Sequence, residues 1–131
     1  MTPTLRDIHG EPPLDEAGYL ELLGELPFVL RATSAIAADS RAIIARHTVR
    51  TTRGMASFVS REVDGPVRLR DLPDLRAYCY TVAGIVGEML TELFLLGRKQ
   101  LATVAAELRA DASAFGEGLQ LVNILKDSDA D

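Results

Sequence analysis

A chain of 131 residues with 47% apolar and 25% charged residues has enough material for one globular core and is not generally disordered. A net charge of −5 argues against a nucleic-acid backbone as partner, which needs clustered cations. Cys79 is the single cysteine, so no intramolecular disulfide forms and a reducing, cytoplasmic setting is expected.

Residues 1–13 contain Pro3, Gly10, Pro12 and Pro13 and read as an irregular entry without the apolar centre of a signal peptide. A first helix is predicted from Asp15 or Glu16 to about Leu23, with Pro27 interrupting and Phe28 starting another short piece. Asp39 or Ser40 can cap a second helix. Its apolar positions (Ile43, Ile44, His47, Val49, Met55, Phe58, Val59) fit helical spacing, opposite the cations Arg41, Arg46, Arg50 and Arg53. Asp64-Gly65-Pro66 is a turn signal.

Asp71 is positioned to cap a third helix, with Pro73 in its first turn and Asp74 at the third helical position. This helix is expected to stop at Gly97, a suitable left-handed cap. Its greasy run from Val82 to Leu96 is broken by Glu88 and Glu92, too short and too charged to span a membrane, while peripheral contact stays open. A fourth helix is predicted from Lys99 or Leu101 to Lys126 or beyond, with a break near Ala110 and Asp111. Strand-like alternation is missing throughout. The expected class is all-α, a helical bundle forming one domain over 1–131.

Two stretches carry chemistry. On the third helix, Tyr78, Val82, Ile85 and Met89 share one face, and Ala77, Thr81, Gly84, Gly87 and Thr91 another. Each glycine inside a helix costs about 1 kcal/mol against alanine. Close helix packing accounts for them, and so does room for an apolar ligand. On the fourth helix, Gly116, Gln120, Asn123, Asp127 and Asp131 fall within a sector about 60° to 80° wide, flanked by Phe115, Leu119, Leu121, Val122, Ile124 and Leu125. That pattern predicts a mostly buried helix with one polar seam. Acids at a helix C-terminus oppose its macrodipole, so the seam is either a solvated tail or a set of oxygen ligands for a hard cation such as Mg²⁺.

The stretch Asp74-Leu-Arg-Ala-Tyr-Cys-Tyr-Thr-Val-Ala-Gly-Ile-Val-Gly-Glu-Met-Leu-Thr-Glu-Leu-Phe94 resembles the Tyr-Cys-x-x-Val-Ala-Gly-x-Val-Gly helix of the squalene/phytoene synthase family. Phe115-Gly-Glu-Gly-Leu-Gln-Leu-Val-Asn-Ile-Leu-Lys-Asp127 is similar to that family's Gly-x-x-Leu-Gln-x-x-Asn-Ile-x-[Arg/Lys]-Asp helix, and Arg53-Gly-Met-Ala-Ser-Phe58 is a weaker match. The family is all-helical and joins two prenyl diphosphates head to head with Mg²⁺, through a cyclopropylcarbinyl diphosphate. The resemblance implies Asn123, Asp127 and Asp131 as metal ligands, with Tyr78, Asp127 and Asp131 in catalysis. It puts Tyr78, Val82, Ala83, Val86 and Gly87 beside the prenyl chains, Ala112, Phe115, Gly116 and Leu119 across from them, and Gln120 with Asn123 at the polar end. NADPH is implied only if the product is squalene.

The family's first aspartate-rich motif has no counterpart upstream of Asp127. The chain therefore reads as the middle of a larger enzyme, with little synthase activity alone and with apolar surface that invites self-association or a partner supplying the missing half. The alternative is a non-catalytic helical module that binds lipid or serves as a partner subunit.

Overall fold

The structure, a computed structural model, describes residues 16–61 and 68–128, and every described regular element is helical. The expectations for residues 1–13, the Asp64-Gly65-Pro66 turn and Asp131 lie outside the described residues. The chain divides into two compact units at Ala37 and Ala38.

In the first unit, α1 runs from Glu16 to Ser34 without interruption, with Pro27 inside it. The predicted break is absent. Proline removes one N–H to the carbonyl four residues back, and the helix here tolerates that loss.

The second unit begins with α2, Ala38–Val59. Asp39 lies in its first turn, where a negative charge complements the macrodipole, and its Oδ1 accepts from the Ser40 N–H at 2.8 Å. Only Ile43, His47 and Phe58 of the expected apolar face are buried; Val49 and Val59 are exposed.

Next come α3 (Leu72–Cys79), a π-helical turn (Tyr80–Gly84) and α4 (Ile85–Leu95), in direct succession. Asp71 caps α3 as expected, its Oδ1 accepting from Asp74 N–H at 2.8 Å. The capping is not reciprocal: the Asp74 carboxylate accepts from the Arg70 N–H at 3.1 Å and from Arg61 Nη1 at 2.6 Å. Buried Asp74 thereby ties the turn that follows α2 to the first turn of α3. The helix stops where glycine permits a left-handed residue, Gly97 at φ +67°.

A 3₁₀ turn at Lys99–Leu101 leads into α5, Ala105–Ser128. The fourth helix starts later than predicted because residues 98–104 close three-residue bonds first, such as Ala102 N–H to Lys99 O at 3.1 Å and Val104 N–H to Leu101 O at 3.1 Å. No break occurs at Ala110 and Asp111. Nor is α5 mostly buried: Ala112 and Gly116 are, whereas Phe115 is 70% and Val122 61% exposed. A narrow stripe of small residues meets the π turn and α4, and the remaining faces of α5 do not pack there.

Arg61 and the Arg70 backbone hold the Asp74 carboxyl below its ordinary range, Arg61 first. A depressed carboxyl contributes stability that is present above its unfolded value of about 3.9 and lost as pH falls through its lower folded value. Asp74→Asn is expected to be less stable than wild type at pH 6 and to lose less on acidification to pH 3. Denaturant titrations at both pH values check this; parallel acid losses would show that Asp74 does not carry the effect.

Candidate functional site

In the second unit, the π turn and α4 meet α5 backbone to backbone. A Cβ on Gly116 would stand 2.7 Å from the Ala83 carbonyl carbon and closer still to its oxygen. A Cβ on Gly87 would overlap the Ala112 carbonyl oxygen. The π turn and α4 thus cross α5 at two glycines, and these small residues are filled by backbone where they meet.

Gly116 fixes the direction of the polar seam. Residues at three- and four-residue steps share its side of α5, so Gln120, Asn123 and Asp127 follow from the buried contact outward. Gln120 is half-buried, and Asn123 and Asp127 are exposed. The Asp127 carboxylate has no ion pair or hydrogen bond among the described residues. Its oxygens and the Asn123 amide oxygen suit a hard cation. Among the described residues no group of three His, Cys, Asp or Glu side chains is placed to hold a metal, and the third expected ligand, Asp131, lies outside them.

The residues expected beside an apolar chain divide into two sets. Ala83, Gly87, Ala112 and Gly116 come together in the backbone contact. Val82 is half-buried, Val86 is at the edge of exposure at 36%, and Phe115 and Leu119 are exposed at 70% and 54%. Tyr78 engages α2: its ring meets Phe58 edge to face, with centroids 5.4 Å apart and planes at 88°.

A polar cluster that the sequence did not reveal joins α2 to the π turn and α4. Arg50 Nη1 donates to Glu88 Oε2 at 2.7 Å, and Arg50 Nη2 donates to the Tyr80 hydroxyl at 2.5 Å. That hydroxyl donates to Glu88 Oε1 at 3.0 Å. Burial, then the Glu88 hydrogen bond, pushes the Tyr80 phenol up, so it stays neutral and bridges the pair. One turn further, Glu92 accepts from Arg109 Nε at 2.6 Å and Nη2 at 3.2 Å, which holds its carboxyl low. The available signal was the pair Glu88 and Glu92, one turn apart inside an otherwise apolar run.

The family model described as "Squalene/phytoene synthase" matches residues 7–131. The chain is 31% identical over 106 residues to a squalene synthase of Candida albicans, covering 81% of this chain and 24% of that protein. It is 33% identical over 113 residues to a squalene synthase of Botryococcus braunii, covering 86% and 23%. A phytoene synthase of Thermus thermophilus is 41% identical over 63 residues, covering 48% and 19%. The chain thus spans about a quarter of the length of these squalene synthases. No solved structure matches.

Proposed function

Because the chain belongs to the squalene/phytoene synthase family, we propose that it is the part of a head-to-head prenyltransferase that holds one diphosphate through Mg²⁺. The observation that carries this reading is the α5 seam: Asn123 and an Asp127 carboxylate without a partner among the described residues, on the side of the helix that Gly116 turns toward the π turn. Asn123, Asp127 and Asp131 would be the ligands, and Gln120 an amide beside them. Bound Mg²⁺ supplies positive charge for a departing diphosphate. Val82, Val86, Phe115 and Leu119 offer apolar surface for the prenyl chain at the rim of the glycine contact, with Ala83, Gly87, Ala112 and Gly116 setting how closely the helices approach. The Tyr78 ring lies on the α2 side.

We expect these residues by themselves to turn over little farnesyl or geranylgeranyl diphosphate. Asn123 and Asp127 face open solvent, and water there would quench an allylic cation. The exposed Phe115, Leu119 and Val122 suit a covering chain or a second copy, and the same face supports the second reading, a non-catalytic lipid-binding or partner-subunit module. No helix among the described residues is long and apolar enough to cross a membrane. We propose a cytoplasmic setting for these residues, with room for peripheral membrane contact.

Titration of a farnesyl thiodiphosphate with and without Mg²⁺ tests the proposal. Binding should need Mg²⁺, and Asp127→Ala should weaken it at least tenfold, the loss of one carboxylate ligand. Equal binding by the variant would show that the seam does not hold the metal.

A further inference from the structure

A polar cleft of about 240 Å³ opens between α2, α4 and the N-terminal half of α5. It is lined by Arg46, His47 and Arg50 of α2, Glu88, Thr91 and Glu92 of α4, and Arg109 and Ala112 of α5. Three guanidinium groups face two carboxylates there, an excess of one positive charge in a chain whose net charge is −5.

The hydrogen bonds leave donors over. Arg50 spends one N–H on Glu88 and one on Tyr80, and Arg109 spends its Nε and Nη2 on Glu92. Arg46 makes no ion pair or hydrogen bond among the described residues, so its five N–H groups are unspent.

His47 supplies the opposite kind of group. It is 4% exposed, and its Nδ1 donates to the Ile43 carbonyl at 2.7 Å. That bond makes Nε2 the acceptor of the neutral ring. Nε2 has no partner among the described residues, and a buried acceptor without one is costly.

A ligand completing this cleft needs oxygens for guanidinium and one O–H for Nε2. A partly protonated phosphoryl group has both, and about 240 Å³ is roughly eight water volumes, enough for one with its hydration. We propose that the cleft between α2, α4 and α5 binds a phosphate-type oxyanion, with Arg46 and Arg109 donating to its oxygens and His47 Nε2 accepting its remaining P–OH. This site needs no metal and does not depend on the function proposed for the seam.

Nuclear magnetic resonance of the whole 131-residue chain in the presence of a chelator provides the test, with inorganic phosphate as probe and sulfate, which carries no O–H at neutral pH, as its counterpart. A saturable shift of the Arg46 and Arg109 Nε signals and of the His47 ring is expected, with phosphate binding at least threefold tighter than sulfate. Arg46 is exposed, so Arg46→Gln should keep the helical circular dichroism and bind phosphate at least fivefold more weakly. Shifts that do not saturate, equal affinity for the two anions in wild type, or unchanged affinity in Arg46→Gln would each overturn the proposal.

Discussion

Gly116→Ala is expected to destabilise the second unit by about 1–3 kcal/mol, whereas Gly118→Ala, two residues along the same helix, should stabilise it by up to about 1 kcal/mol. Both exchanges gain helix propensity worth about 1 kcal/mol. They differ in what the new methyl meets. At Gly118 nothing stands within 4 Å. At Gly116 the methyl would collide with the Ala83 carbonyl and come within 3.1 Å of the Gly84 Cα. Those are backbone atoms, so no side-chain rotation relieves the overlap, and the π turn and α5 must move apart at a typical overpacking cost of about 1–3 kcal/mol, occasionally more. Gly116→Val should be worse. Denaturant unfolding of the three variants reads the sign directly; a stabilised Gly116→Ala would show that the two backbones are not in contact there.

Phe58→Ala is expected to cost about 3–5 kcal/mol, a large share of the roughly 5–15 kcal/mol that holds a domain together. Phe58 is 4% exposed, among the most buried large side chains of the second unit. Its ring packs edge to face on Tyr78, and the Arg61 guanidinium lies 4.5 Å above its centroid. The truncation therefore removes the buried area, the aromatic pair and the cation–π contact together. It also loosens Arg61, which holds Asp74. Unfolding monitored by circular dichroism should show the midpoint falling sharply; a change below about 1 kcal/mol would mean that this corner does not anchor α2 to α3.

Much of this architecture was legible in the residues. Asp71, Pro73 and Gly97 mark the ends of the α3–α4 run because capping and left-handed geometry are local properties. The order of helices and the all-α class followed from apolar spacing together with these caps and breakers. Pro27 misled because a proline's cost can be absorbed by a helix that is otherwise intact. The π turn at Tyr80–Gly84 left no local signature: its extra residue is accommodated by contacts from elsewhere, Arg50 on Tyr80 among them. The amphipathic pattern of α5 also overstated burial, since periodicity says which residues share a face and not whether anything covers it.

For the site, spacing established that Gly116, Gln120, Asn123 and Asp127 share a side of one helix. It did not separate a packing glycine from a cavity glycine. At Gly87 and Gly116 the difference lies in the position of another helix's carbonyl, a tertiary fact. The Arg50–Tyr80–Glu88 cluster was hidden for the same reason: its members are 8 to 38 residues apart in sequence.

On the proposed function, a divalent cation and a diphosphate meet on the α5 seam. Mn²⁺, a paramagnetic substitute for Mg²⁺, can locate that meeting point by selective broadening of nuclear magnetic resonance signals when added in trace amounts with farnesyl thiodiphosphate. The Asn123 and Asp127 signals are expected to broaden first, and only when the diphosphate is present. Broadening centred instead on Glu88 and Glu92, or spread evenly over the exposed carboxylates, would contradict it.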